Sequence, residues 1–97
     1  MFRGSTPLHI FTVDIDLRDA IIYVTYQQNG ETVVERTNDT LTLTKTSVGL
    51  KLTQEETLRF DGGQVSIQIR YVMPDGTADA SKIMRVNVQD VLKDGVI

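Results

Sequence analysis

Hydrophobic and polar residues alternate with a period of two in several short stretches of the chain. The first is HIFTVDI, whose residues on the face predicted to be buried are His9, Phe11, Val13 and Ile15. Such alternation indicates a β-strand with one face against a core. AIIYVTY follows as a second strand. Asn29-Gly30 then predicts a tight type I′ hairpin, because both central positions of that turn need a positive φ.

The second half of the chain continues the pattern. Asn38-Asp39 marks a turn before TLTLTKT, and in the short strand VGLKL that follows, Gly49 is a candidate for a β-bulge. The clearest alternation is in QVSIQIRYV, whose predicted inward residues are Val65, Ile67, Ile69 and Tyr71. After the turn MPDGT, the predicted inward residues of KIMRVNVQ are Met84, Val86 and Val88. The tail DVLKDGVI is expected either to form one helical turn ended by Gly95 or to be irregular.

Short strands separated by turn signals, at a spacing of roughly ten residues, predict an all-β fold. Threonine, valine and isoleucine supply 31 of the 97 residues, and their branched side chains fit a pleated sheet better than a helix. We therefore expect residues 1–97 to form a single immunoglobulin-like antiparallel β-sandwich of about seven strands around one core.

Charge and composition exclude several classes of function. The net charge is −3 and the ten Lys and Arg residues are scattered. Phosphate binding needs such residues clustered on one face, so we expect no nucleic-acid partner. The chain has no cysteine, which removes disulfides and thiolate metal sites. No apolar run is long enough for a signal peptide or a membrane span, which predicts synthesis in the cytoplasm and no membrane partner.

The stretch LTQEETLRFDGG gathers three carboxylates, Glu55, Glu56 and Asp61, and is the first candidate for chemistry. Thr53 lies three residues before Glu56, which is the spacing of a capping box at a helix N-terminus. Catalysis would need two carboxylates in different environments and an acid–base partner, which the sequence does not supply. We therefore expect a structural helical turn, whose predicted core-facing residues are Leu52, Leu58 and Phe60.

Two other candidate sites have incomplete patterns. Asp14, Asp16 and Asp19 cluster as ligands of a hard cation do, but the glycine and terminal glutamate of a calcium loop are missing, and aspartates are common turn residues. His9 is the only histidine and falls on the apolar face of the first strand. It has no nucleophile or orienting partner in any recognisable pattern, so a packed or edge histidine is expected.

The tyrosines Tyr23, Tyr26 and Tyr71 could line a ligand groove, although aromatic residues in strands more often belong to the core or its rim. Serine motifs, phosphate-binding glycine loops and nucleotide fingerprints are absent. We therefore predict no catalytic, cofactor-binding or metal-binding residues, no cofactor and no enzymatic activity. We therefore expect the protein to act through contacts of its surface with a partner, since the edge strands of a small sandwich can add to a neighbour's sheet.

Several stretches together resemble one group of small proteins over nearly the full chain: RGSTP near the start, then LTQEETLRF, VSIQIRY and ADASKI. The group is encoded among the virion genes of phages and prophages of Gram-positive bacteria. More distantly, the chain is similar to the N-terminal immunoglobulin-like module of phage baseplate upper proteins. The resemblance implies a small non-enzymatic tail, baseplate or head accessory component located in the virion, and it supplies no catalytic residues.

Two hypotheses of function follow. The first is a phage structural or assembly protein whose partners are other virion proteins or further copies of itself. Such a protein should form a symmetric oligomer or bind through edge-strand pairing. The second is a free-standing recognition module for a cell-surface saccharide, which should stay monomeric and bind through its tyrosines.

Overall fold

The computed structural model describes residues 1–97 and contains eight strands, one short α-helix and one 3-10 helix. The strands are β1 (Leu8–Thr12), β2 (Ile21–Gln28), β3 (Glu31–Thr37), β4 (Thr42–Leu43), β5 (Ser47–Lys51), β6 (Gly63–Val72), β7 (Ala78–Ala80) and β8 (Met84–Val88). The 3-10 helix Asn38–Thr40 follows β3, and helix α1 (Gln54–Leu58) follows β5. No helix has the length and apolar character that crossing a membrane requires.

The strands form two antiparallel sheets that pack face to face. The small sheet has the order β1-β5-β4. In the large sheet the order is β3-β2-β6, and β7 and β8 both pair with the far side of β6, one beyond the other along its length. The predicted immunoglobulin-like β-sandwich is confirmed, with eight strands where about seven were expected.

The hydrophobic core lies between the sheets and contains 14 buried residues. β2 and β6 form its floor, with Val24 directly opposite Ile69, and β5 contributes Val48 and Leu50 from the facing sheet. The predicted inward residues that lie in or against this core are Val65, Ile67, Ile69, Tyr71, Met84, Val86 and Val88. The alternation in the second half of the sequence therefore identifies the buried face correctly.

The hairpin between β2 and β3 is also confirmed. Asn29 has φ 54° and Gly30 has φ 79°, the two positive values that a type I′ turn requires. A β-bulge lies close to this turn. The register between β2 and β3 shifts after Tyr26, which leaves Val33 without a partner residue. A bulge near a sheet edge bends the strand and hinders further pairing.

The bulge suggested at Gly49 is not observed. Gly49 lies in β5, the central strand of the small sheet, and pairs in regular register with Ile10 of β1 and Thr42 of β4. A Cβ atom at this position would lie 3.5 Å from the Thr42 carbonyl oxygen. The bulge prediction is wrong because the strand runs without a register shift between two partners.

β1 is shorter than the alternation predicts. The Asp16 side chain accepts a hydrogen bond from the Arg18 N–H at 3.1 Å, which turns the chain soon after Thr12. Ile15, predicted to face the core, is 43% exposed as a result. Leu17 takes its place in the core, at 1% exposure.

Hydroxyl side chains interrupt the extended chain at two further points. In TLTLTKT only Thr42–Leu43 pairs as a strand, because the Thr44 and Ser47 hydroxyls bond to each other at 2.6 Å and close a turn. The Ser81 hydroxyl accepts the Ile69 N–H at 3.0 Å, in the place of a ladder carbonyl, and separates β7 from β8. The tail after β8 contains no helix, so the irregular form expected for it is the one observed.

Ile67 tests the assignment of the inner face. This side chain is 4% exposed in β6, and Ile67→Ala should lower the free energy of unfolding by about 2–5 kcal/mol. Ile21→Ala is the matched control, because Ile21 is 59% exposed on the neighbouring strand, and its cost should stay below about 1 kcal/mol. Chemical denaturation of both variants measures this. Equal losses would mean that the inner face is misassigned.

Candidate functional site

The stretch LTQEETLRFDGG forms the predicted capping box at the start of α1. Thr53 Oγ1 accepts a hydrogen bond from the Glu56 N–H at 3.1 Å. The Glu56 carboxylate in turn accepts the Thr53 N–H at 2.9 Å. These two bonds satisfy backbone donors that a helix leaves unpaired at its N-terminus.

The residues beneath this turn are mostly those predicted. Leu52 and Phe60 are buried, whereas Leu58 is only partly buried and does not join the core. The prediction for Leu58 is wrong because Thr57 occupies the buried position of α1. The Thr57 hydroxyl donates to the Ser5 carbonyl at 2.8 Å, which holds the N-terminal segment against the turn.

Glu56 also forms an ion pair with Arg36 of β3. Arg36 Nε donates to Glu56 Oε2 at 2.7 Å and Arg36 Nη2 donates to Glu56 Oε1. Arg36 Nη2 further donates to the Lys51 carbonyl at 3.0 Å. The guanidinium and the capping N–H of Thr53 lower the pKa of Glu56 from 4.5 to about 2. This carboxylate therefore links β3 to the start of α1 and remains ionised at neutral pH.

The other two carboxylates of the stretch do not join it. Glu55 and Asp61 are exposed, and the Asp61 backbone is held by Gln28, which donates to its carbonyl and accepts its N–H, each at 2.7 Å. The stretch is thus a turn between sheets, as expected, and its carboxylates do not converge on one point.

The aspartates before β2 form a local turn. Arg18 Nη2 donates to Asp16 Oδ2 at 2.7 Å, and this contact lowers the pKa of Asp16 to about 2. Nowhere in the chain do three His, Cys, Asp or Glu side chains come together as a metal site requires. Asp14 lies instead at the rim of a cleft described below.

His9 is a packed histidine, as predicted. Its Nδ1 lies 2.6 Å from the Tyr26 hydroxyl, and the two rings stack with their centroids 5.7 Å apart. Burial lowers the pKa of His9 and raises that of Tyr26, so both groups are neutral at pH 7. The contact satisfies the hydroxyl of a fully buried tyrosine.

The three tyrosines face three different environments. Tyr26 is fully buried, whereas Tyr23 is 45% exposed on the outer face of the large sheet. Tyr71 lines a cleft between the two sheets. A single ligand groove cannot use all three, and Tyr26 cannot stack on a ligand at all.

Two concavities of the surface bear on ligand binding. A polar groove of about 280 Å³ lies on the outer face of the large sheet, lined by Thr25, Gln27, Thr32, Glu35, Ser66, Ile67, Gln68, Arg70 and Ile83. A more apolar cleft of about 500 Å³ opens between the residues that follow β1 and strands β6 to β8. Apolar residues of this cleft include Leu17, Ile69, Tyr71 and Met84, and its charged residues are Asp14, Asp79 and Lys82.

Most sheet edges carry features that hinder pairing with another chain. β3 has the bulge and the charged residues Glu31, Glu35 and Arg36. β4 and β7 have only two and three residues. The N-terminal segment lies along the end of β8, where Phe2 forms a parallel bridge with Gln89. Short length, charge, bulges and coverage are the usual means of protecting an edge.

β1 has none of these features. Its sequence LHIFT contains no proline, glycine or formal charge while His9 is neutral, and it pairs only with β5. The side chains of Leu8 and Ile10 are each 63% exposed. An exposed, uncharged, apolar edge strand is a ready site for pairing with another strand.

The hydrogen bonds at the two ends of β1 show which backbone groups are free. The Leu52 N–H donates to the Pro7 carbonyl at 3.0 Å and the Val13 N–H donates to the Thr46 carbonyl at 2.9 Å. In an antiparallel pair every second residue is hydrogen-bonded to its neighbour. The backbone N–H and C=O groups of the odd-numbered residues of β1 therefore point toward β5. The free N–H and C=O groups are those of Leu8, Ile10 and Thr12.

Sequence reasoning identified edge pairing only as a general property of sandwiches. The available signal is the absence of charge in LHIFT, which other edge strands such as ETVVERT do not share. This signal becomes usable only when the topology places β1 at an edge.

No protein-family model matches the chain, and no match was found among curated proteins or solved structures. The function is therefore inferred from the geometry of the chain and from its sequence.

Removal of the cap should have a measurable cost. Thr53→Ala should lower the free energy of unfolding by about 1 kcal/mol, because a backbone N–H of the first turn loses its acceptor. Thr6→Ala is the control, since Thr6 is exposed and its side chain forms no hydrogen bond. Chemical denaturation compares the two variants. An unchanged midpoint for Thr53→Ala would contradict a stabilising cap.

The Glu56–Arg36 pair predicts a specific dependence on pH. The folded-state pKa of Glu56, about 2, lies below its ordinary value of 4.5, so folding favours the ionised form. Glu56→Gln should cost roughly 1.5–3 kcal/mol at neutral pH. The difference between protein and variant should be complete above about pH 5, should shrink as the pH falls, and should disappear below about pH 2. Urea denaturation at several pH values measures it, and a difference independent of pH would refute the ion pair.

Proposed function

We propose that this protein is a non-enzymatic structural or assembly component of a phage or prophage virion, in the tail, the baseplate or the head accessory set. It acts through protein–protein contacts. The observation that carries the proposal is the free edge of β1, with its unpaired backbone groups and the exposed side chains of Leu8 and Ile10. The resemblance of the stretches LTQEETLRF and VSIQIRY to small virion proteins supports the same role.

Structural contacts of three titratable side chains support a non-enzymatic role. Glu56 is neutralised by Arg36 and Asp16 by Arg18. His9 is occupied by the hydroxyl of a buried tyrosine. A general acid or base needs a pKa near the working pH and access to substrate, and in these three groups structural contacts occupy the atoms that catalysis would use.

Quantitative mass spectrometry of purified phage particles tests the location. The protein should be present in the particle in a fixed ratio to the major virion proteins. Its recovery only from the unassembled fraction of the lysate would contradict a place in the virion.

A substitution in β1 tests the contact itself. Ile10→Lys puts a charge on the free edge, which is how natural sheets prevent pairing, and should lower incorporation into particles. Ile21→Lys is the matched control, because Ile21 is similarly exposed, at 59% against 63%, but lies on an interior strand. Equal incorporation of both variants would exclude β1 as the contact.

A saccharide-recognition module is the second candidate, and one observation favours it. The polar groove offers hydroxyl, amide and guanidinium groups. Tyr23 lies beside it, because Tyr23 is paired with Arg70, which lines the groove. An exposed aromatic ring next to hydrogen-bonding groups suits a sugar ring.

The residue that distinguishes the two candidates is Tyr23, since Tyr26 is buried. On an array of cell-wall saccharides, a recognition module should bind and lose its binding on Tyr23→Ala. Such a result, together with absence from the particle, would replace the structural proposal. We expect no saccharide binding.

A further inference from the structure

We propose that the partner of the β1 edge is a second copy of this chain, paired antiparallel across a two-fold axis at Ile10. The proposal rests on the proposed function, for which it names the partner. It joins the two small sheets into one continuous sheet of six strands, with the order β4-β5-β1-β1-β5-β4. The free backbone groups, the side chains of β1 and the condition of the other edges each support it.

The backbone restricts how two copies can pair. Only Leu8, Ile10 and Thr12 have free N–H and C=O groups, so a hydrogen-bonded pair must join two of these residues. A two-fold axis at Ile10 sets each Ile10 opposite its copy and each Leu8 opposite the Thr12 of the second copy. All three residues of both strands then find partners, with roughly six new hydrogen bonds.

The side chains of β1 are compatible with this symmetry. A residue on a two-fold axis meets its own copy, so a charge there would be repelled. Ile10 meets Ile10, and on the same face Leu8 lies against the methyl group of Thr12. On the inner face His9 lies opposite Phe11, an aromatic pair of a kind favoured between strands. Burial, which lowers the pKa of His9, keeps this ring neutral at pH 7.

The exposed surface of β1 gives a reason for association. Leu8 and Ile10 are each 63% exposed, and in the pair each of them packs beside an apolar group of the second copy. Directly opposite Ile10 the neighbouring strand presents Gly49, which has no side chain. The central cross-strand contact at Ile10 is therefore unobstructed.

The other edges do not permit an equivalent pair. An antiparallel β3–β3 pair centred on Val33 would set Glu31 opposite Glu35 of the second copy, so that like charges repel, and the bulge at Val33 interrupts the ladder. β8 is partly occupied, because the Met1 amino group donates to the Asn87 carbonyl at 2.9 Å. β1 is the edge at which self-pairing has a regular register.

Sedimentation velocity of the full chain tests self-association, over concentrations from roughly 1 μM to 1 mM. The protein should pass from monomer to dimer without larger species, because pairing consumes both free edges. Ile10→Lys should weaken the dimer at least about tenfold, since two lysines meet at the axis. Ile21→Lys should leave the dimer unchanged. A monomer at every concentration, or a dimer unaffected by Ile10→Lys, would overturn the proposal.

Disulfide cross-linking tests the register, since the chain has no cysteine of its own. In the paired strands the two Cα atoms of residue 10 lie about 5.5 Å apart, within reach of a disulfide. The two Cα atoms of residue 8 are separated by roughly 14 Å, which is too far. Ile10→Cys should therefore oxidise to a covalent dimer, and Leu8→Cys, at the same 63% exposure, should not. A mixture of Leu8→Cys and Thr12→Cys chains should form the mixed disulfide.

The cross-linking outcomes decide between occupants of the edge. Equal cross-linking of Ile10→Cys and Leu8→Cys would indicate random collision and overturn the register. If the free chain stays monomeric but Ile10→Lys is lost from particles, a different virion protein occupies β1, and self-pairing is wrong while the proposed function stands. If the chain dimerises as described but is absent from particles, the proposed function fails and self-pairing stands.

Discussion

The pairing of β2 with β6, the two longest strands, supports the rest of the structure. It runs over seven residue pairs, and alternate side chains of both strands point to the same face and form the floor of the core. A slip of β6 by one residue would turn Ile69 and the other inward residues of this strand toward solvent. The Asn29-Gly30 turn fixes the register of β3 on the other side of β2. The buried residues of β5 pack against the floor formed by β2 and β6, and this packing favours the register that keeps their inward side chains buried.

Polar contacts hold the connections that cross between the two sheets. Gln28 is bonded twice to the Asp61 backbone. Arg36 binds Glu56, whose carboxylate also caps α1. No buried side-chain nitrogen or oxygen lacks a partner, so these groups offset the desolvation that burial imposes. The same residues that suggested a carboxylate site in the sequence therefore stabilise the passage from β5 to β6.

Alternation, turn chemistry and capping are local properties, and the features that depend on them could be predicted from the sequence: the inward face of β6, the type I′ hairpin and the capping box. The features that were missed depend on side-chain hydrogen bonds that compete with a strand, or on contacts distant in sequence. Ile15 is exposed because a local aspartate turn competes with the strand. The short strand β7 was not predicted, and Ser81, which binds Ile69, separates it from β8. The free edge of β1 was also hidden, because strand order decides which strand has one neighbour and which has two.

The unequal protection of the edges links this fold to its proposed role. Hydrogen exchange of the β1 amides shows most directly whether the β1 edge is free or paired, because adjacent residues of one strand serve as each other's control. In dilute protein the amides of Leu8, Ile10 and Thr12 should exchange rapidly, while those of His9 and Phe11 are protected by β5. When the chain associates, the first three should become protected. Exchange at Leu8, Ile10 and Thr12 that is equally fast in the free chain and in its assembled form would contradict the account.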